Sequence, residues 1–500
     1  MNSSPARRVL QALSLLLFCA IGSAQSVGSF SVKIPEGRID APFSGDILIA
    51  FAEQDEPRRA MHGWFNAPPV LRFRVTGLAT GTAKRLVPAQ AVASVPLDWK
   101  ALPAKEWRVQ AVLRTSLLGR QAGLDEGDLY SAVATITYDP SAEASVELIL
   151  DQVASKREFV ETERIVEFEF PSPALSAFHG FDYSMHAGVM LPRHYEEGQS
   201  YPVLYSVTGF GGTHHGIHNW LNQVPEDSPL DDCIVVIPDA TNHYGHSVFC
   251  DSDSIGPWGQ ALVHELIPAL EKKFGGAGKE QRYVTGISSG GWSSLWLQVA
   301  YPEEFAGCWS HVPDPIDFHD FQQINIYEPL PSGEARNMYL DEAGERRPLA
   351  RRNGQVLLYY EDFARREHVL NPGGQIRSFE ATFSPLDADG TPRRIFDVHT
   401  GRIDHEAAKA WRKYDISHHL LTNWASLQDS LSGKIHLYAG AVDTFYLEGA
   451  VERFQSLAQE AGLLEHMTIE VVPGMPHTQH QAGFQAMVKS IESRRALLLK

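Results

Sequence analysis

Three residues of this chain have the chemistry to cleave an ester or amide together: Ser288, Asp443 and His477. Ser288 stands in Gly286-Ile287-Ser288-Ser289-Gly290, inside the stretch YVTGISSGGWSS. A serine hydroxyl attacks a carbonyl only when a base takes its proton and an acid orients that base. The pattern GxSxG is short, and its meaning comes from its setting. A strand before it and a helix after it make a sharp turn that exposes the hydroxyl at the sheet edge. Here RYVTGI precedes Ser288 and GGWSSLWLQVA follows it. Asp443 in HLYAGAVDTFYL and His477 in VVPGMPHTQH each come just after a strand-like apolar run. The order along the chain is serine, acid, histidine. His480 is the rival base, but it can instead begin the last helix. Asp415 is the rival acid, but it lies in a helix-like run.

The attacked carbonyl also needs donors for its developing negative charge. One is the backbone N–H of Ser289, at the start of the helix. The other is expected in VTGFGG (Val207 to Gly212), where glycine permits close backbone approach. Phe210 N–H is the candidate. His214, His215 and His218 in THHGIH have the look of a metal cluster. No carboxylate pattern supports one, so they are read as pocket-lining or solvated loop residues. No metal and no cofactor is implied.

These residues need a scaffold. From about Glu158 onward strands alternate with helices: YPVLYSVTGFGG, CIVVIPDA, GPWGQALVHELIPALEKKF, RYVTGIS with its helix, FAGCWSH, KIHLYAG, LEGAVERFQSLAQEAG and MTIEVVP. That alternation predicts a mainly parallel sheet covered on both faces. Residues 28–150 differ. About seven short, partly alternating strands separated by turn residues predict an all-β sandwich of immunoglobulin-like type, with a packing or carbohydrate-binding role. Residues 314–433 interrupt the alternation. They are polar and too long for a bare loop. They are read as an insertion that folds over the sheet edge and shapes the pocket, with most of its tyrosines (Tyr327, Tyr339, Tyr359, Tyr360) packing its own core.

Residues 1–24 have a basic start (Arg7, Arg8), an apolar centre and the small residues Gly22-Ser23-Ala24. This is a signal peptide pattern, too short for a membrane span, so a secreted or periplasmic protein without membrane attachment is expected after cleavage. The net charge of −18 argues against nucleic acid, whose phosphates require basic surface. Beyond the signal segment, Cys233, Cys250 and Cys308 form an odd set. Cys233 and Cys308 sit in apolar runs and are read as buried structural residues.

The chain from about Arg164 to its end resembles the Esterase D-type esterase family of α/β-hydrolases. That family includes S-formylglutathione hydrolases, feruloyl and acetylxylan esterases, enterochelin esterases and mycolyltransferases. YPVLYSVTGFGG, GPWGQALVHELIPALEKKF, YVTGISSGGWSS, GAVDTFYL and VPGMPH carry the likeness. The resemblance implies Ser288 as nucleophile, Asp443 as acid, His477 as base, and Phe210 and Ser289 as oxyanion donors. It departs at Thr208-Gly209, where the family usually has His-Gly, and in the length of the insertion. The function expected is hydrolysis of carboxylic esters through an acyl-enzyme. An exported enzyme would meet acetyl or feruloyl esters of polysaccharide. An acyltransferase, a serine peptidase on the same fold, and a non-catalytic carbohydrate-binding protein are the alternatives.

Overall fold

A computed structural model describes residues 25–116, 118–224 and 228–498. The signal-like segment 1–24 lies outside them. Residues 25–153 form strands joined by turns and short helical pieces, in two sheets around one core. The larger sheet runs Gln25–Val27, Ala134–Tyr138, Glu106–Leu113, Phe43–Ala52, Val70–Leu78, Ala93–Val95, with two short strands beside it. The smaller runs Ser145–Ile149, Ser29–Lys33, Ala83–Leu86. Phe51 sits at the centre, in edge-to-face contact with Phe30, Trp107 and Tyr138. The run RLVPAQAVA is divided between two strands in different sheets. Pro88 opens a helical turn between them, because proline removes a donor that a continuous ladder would use.

The second sheet has eight strands: β1 (Ile165–Pro171), β2 (Ser184–Met190), β3 (Val203–Val207), β4 (Ile234–Pro238), β5 (Arg282–Ile287), β6 (Gly307–His311), β7 (Ile435–Gly440) and β8 (Thr468–Val472). Their spatial order is β1-β2-β4-β3-β5-β6-β7-β8. Pairings from β4 through β8 are parallel, and β2 runs antiparallel to both neighbours. β4 is buried throughout, which is why its sequence is an unbroken apolar run; β6 is equally buried but carries Ser310, whose hydroxyl is satisfied by Gly291 O at 2.8 Å. This is the α/β-hydrolase fold.

Helices cover both faces. The segment read as one helix over GPWGQALVHELIPALEKKF starts at Trp258 but widens into a π-turn over Ala261–Leu266 before α1 (Ile267–Phe274). Ile267 N–H bonds to Leu262 O, five residues back, just ahead of Pro268, which has no N–H to offer. Next comes α2 (Ser289–Ala300), followed by the long segment 314–433. It contains a hairpin (Pro348–Arg352 with Gln355–Tyr359), α3 (Tyr360–Leu370), α4 (Gln375–Phe383) and α5 (Ile416–Leu431). Helix α5 packs against α2 and serves as the crossover that parallel β6 and β7 require. Phe318, Phe321, Phe383, Trp411 and Tyr414 form an aromatic cluster continuous with the main core. Helices α6 (Glu448–Glu460) and α7 (Gln481–Leu498) complete the chain.

Candidate active site

The turn from β5 into α2 forces Ser288 to φ 60°, ψ −127°. A non-glycine residue at positive φ is strained and persists only where its surroundings hold it. Here the flanking glycines do so. A Cβ on Gly286 would lie 2.1 Å from Gly290 O, and one on Gly290 would lie 2.0 Å from Val207 O. Only glycine lets strand β3, the turn and helix α2 approach this closely. Ser288 N–H donates to His311 O at 3.1 Å, and Ser288 O accepts from Asp314 N–H at 3.2 Å.

Asp443 lies three residues past the end of β7 and is fully buried. Its Oδ1 accepts from Phe445 N–H at 2.7 Å, folding the loop back on the carboxylate. Its Oδ2 is 2.8 Å from His477 Nδ1. His477, five residues past β8, is largely buried and meets the edge of Phe445, with ring centroids 4.9 Å apart. Ser288 and His477 line one pocket of about 300 Å³. The structure therefore brings Ser288, Asp443 and His477 to the same edge of the sheet. Ligands bind at that edge in open α/β folds.

The rivals are elsewhere. His480 precedes α7, and its Nδ1 accepts from Gly483 N–H at 3.2 Å, so it caps that helix. Asp415 caps α5, accepts from the Tyr327 hydroxyl at 2.9 Å and is buried inside the insertion. Phe210 lines the pocket, and Gly209 lies against Ser288, its added Cβ falling 3.3 Å from Ser288 Cβ. Ser289 is buried at the first position of α2.

The histidines of THHGIH pack beneath this loop. His214 contacts Asp239 through Nδ1 at 2.7 Å and Glu167 through Nε2 at 3.1 Å, and Phe159 stacks on its ring. Asp239 is mostly enclosed, which raises its pKa, but the bonds to His214 and Thr241 outweigh this and bring it down to about 2. Glu167, His186 and His214 have ligand atoms within 4.8 Å of one another, a spacing that could hold a cation, as do Asp317, His319 and Asp415. Neither group faces Ser288's pocket.

Several pocket residues were not singled out as site residues from sequence. Asp314, just past β6, is buried in the wall and takes the Ser289 hydroxyl as donor. Gln375, at the start of α4, donates from Nε2 to Asp314 Oδ2 at 3.3 Å. Burial pushes the Asp314 carboxyl up to about 6, against the bonds from Ser289 and Gln375. Arg351, on the insertion hairpin, donates from Nε to Asp443 O at 3.0 Å and so grips the loop that carries Asp443. The insertion lines the pocket with Phe321, Leu349, Tyr360, Phe363, Ile376 and Phe379, which is the covering role expected of it. Tyr327 and Tyr339 are buried in the insertion's own packing, and of the four named tyrosines Tyr360 reaches the pocket. Cys233, Cys250 and Cys308 are all buried free thiols.

The model of the family described as Putative esterase matches residues 179–486. No curated protein matches the chain. Similar solved structures include an S-formylglutathione hydrolase from Agrobacterium tumefaciens, 15% identical over 66% of this chain and 94% of that one, with a TM-score of 0.36. A ferulic acid esterase from Anaeromyces mucronatus, solved with ferulic acid, is 13% identical over 67% and 93%, with a TM-score of 0.34. Est1E from Butyrivibrio proteoclasticus is 12% identical over 67% and 99%, with a TM-score of 0.35. Since the family model spans more than half of the chain, with the elbow, acid and histidine loops inside it, the chain belongs to the Putative esterase family.

Proposed function

We propose that this protein is an exported serine esterase that cleaves carboxylic esters through an acyl-enzyme on Ser288. The observation that carries the reading is the Asp443–His477 contact of 2.8 Å beside a serine held at φ 60° on the same pocket. With Asp443 accepting a hydrogen bond from Nδ1–H, His477 keeps a free lone pair on Nε2. That nitrogen takes the Ser288 proton as Oγ attacks the ester carbonyl. The N–H groups of Phe210 and Ser289 hold the oxyanion, and the proton passes to the departing alkoxide as the C–O bond breaks. Water then repeats the sequence in reverse and releases the acid. Helix α2 points its N-terminus at the site and favours the negative charge.

Export is proposed from the signal-like segment 1–24. Among the described residues, no helix is long and apolar enough to cross a membrane. Esters of polysaccharide, acetyl or feruloyl, are the proposed substrates. The test is hydrolysis of p-nitrophenyl acetate, acetylated xylan and methyl ferulate by wild type and Ser288→Ala. The reading requires turnover of at least one ester by wild type and loss by about 10⁶-fold in the variant. Turnover by the variant near the wild-type rate contradicts it.

A further inference from the structure

The N-terminal β region reaches the active site. Strands Phe43–Ala52 and Val70–Leu78 are hydrogen-bonded neighbours, a pairing that two to five residues commonly connect. Here residues 53–69 connect them, and this arm runs to the hydrolase pocket. Trp64 and Phe65 at its tip line the same pocket as Ser288 and His477. Trp64 meets Phe363 of the insertion at 4.8 Å between ring centroids, Phe445 of the acid loop at 5.6 Å and Phe210 of the oxyanion loop at 6.1 Å. One side chain thus touches each of the three segments that surround the reacting carbonyl.

The arm is anchored at its root and along its length. Met61 is fully buried in a small core formed by the outer face of the large sheet and Val369 of α3. Arg366 of α3 is buried and donates to Met61 O and, at 2.9 Å, to Pro68 O. His62 bonds to Ala122 O at 2.9 Å. A second element of the region grips the oxyanion loop. Arg120 donates to Gly211 O at 2.7 Å, and its guanidinium lies 5.1 Å from the centre of the Phe210 ring. A detached binding module would not have two of its carbonyls held by a buried arginine of its neighbour, since the burial costs more than a surface contact returns.

From this we infer that the arm 53–69 is a wall of the active-site pocket, with Trp64 and Phe65 forming an aromatic platform that selects esters with a flat aromatic acid half. The inference rests on the serine-esterase reading and adds the residues that choose the substrate. Aromatic rings pack face to edge or offset against other rings with a preference beyond area alone. A pocket of about 300 Å³ walled by Trp64, Phe65, Phe210, Phe363 and Phe445 takes one such group rather than a sugar chain.

The experiment compares kcat/KM for methyl cinnamate and methyl butyrate, which share a leaving alcohol, in wild type, Trp64→Ala, Trp64→Phe and Phe65→Ala. The cinnamate-to-butyrate ratio is expected to fall by roughly 10- to 100-fold in Trp64→Ala and by a smaller factor in Phe65→Ala. Trp64→Phe, which keeps a ring, should restore most of the ratio. Labelling of Ser288 by a small fluorophosphonate should persist in all four proteins, which shows that the triad is assembled. A ratio unchanged in Trp64→Ala with labelling intact overturns the wall and leaves the esterase reading standing. A ratio that Trp64→Phe does not restore also overturns it. Wild type that takes no fluorophosphonate overturns the esterase reading, and the wall with it.

Discussion

The triad loops and the pocket walls are built from different kinds of sequence. Each residue of the proposed triad follows the end of its own strand: Ser288 after β5, Asp443 after β7, His477 after β8. The parallel sheet brings those ends together, so the geometry is fixed by a few local turns and one topology. The walls have no such rule. Trp64 and Phe65 come from a loop more than two hundred residues before the nucleophile, and Phe363 and Gln375 come from a segment after it. Two arginines bind the halves together. Arg120 holds the oxyanion loop from the N-terminal side, and Arg351 holds the acid loop from the insertion. In this molecule chemistry is encoded locally and selectivity at long range.

That contrast predicts how variants should sort. His477→Ala should cost about as much as loss of the serine, on the order of 10⁶-fold in kcat, because the pair acts as one unit. His480→Ala should leave kcat within a few-fold and cost about 1 kcal/mol of stability, as a lost helix cap does. Esterase assays and thermal melts on both variants separate these outcomes. A dead His480→Ala enzyme beside an active His477→Ala enzyme would put the base in the wrong loop. Asp443→Asn should fall by about 10⁴-fold, since the amide favours the wrong imidazole tautomer.

The walls should respond in stability and selectivity. Arg366→Met leaves Met61 O and Pro68 O without their charged donor, and urea denaturation should show a loss of about 1–3 kcal/mol. An unchanged midpoint would mean that the arm is not held where it lies.

The smallest effect concerns Asp314. Its folded pKa of about 6 lies above the ordinary 3.8, so between those values the native state binds more protons than the unfolded chain. Its contribution to stability is therefore greatest in acid and is lost as pH rises through 6. Asp314→Asn keeps the shape and removes the titration. Melting temperatures at pH 4.5 and 7.5 should show the variant gaining on wild type at the higher pH. A constant difference would mean that the carboxylate titrates normally.

The legible part of the fold was the part with a period. Alternating strands and helices gave the parallel sheet, and GxSxG in its strand–helix setting marked the elbow. Gly286 and Gly290 of that pattern are the positions where an added Cβ would fall 2.1 and 2.0 Å from neighbouring backbone oxygens. Asp443 and His477 were readable because each follows an apolar run. The route of residues 53–69 was not. Trp64 lies among prolines and charged residues with no periodicity, and its partners Phe210, Phe363 and Phe445 are all more than a hundred residues away in sequence. Asp314 was read as the first residue of an insertion, although it stands only three residues past the end of β6, where sheet-edge residues meet the site. Pro88 is a local signal for the break in RLVPAQAVA, but which sheet each piece joins depends on partner strands distant in sequence.

The central claim is that Ser288 is the nucleophile of a working triad. Mass spectrometry after treatment with a fluorophosphonate tests it most directly. The account predicts one phosphonyl adduct, on the peptide carrying Ser288, formed quickly in wild type and at a rate lower by orders of magnitude in His477→Ala. An unmodified Ser288 peptide, or an adduct that forms as fast without His477, would contradict it.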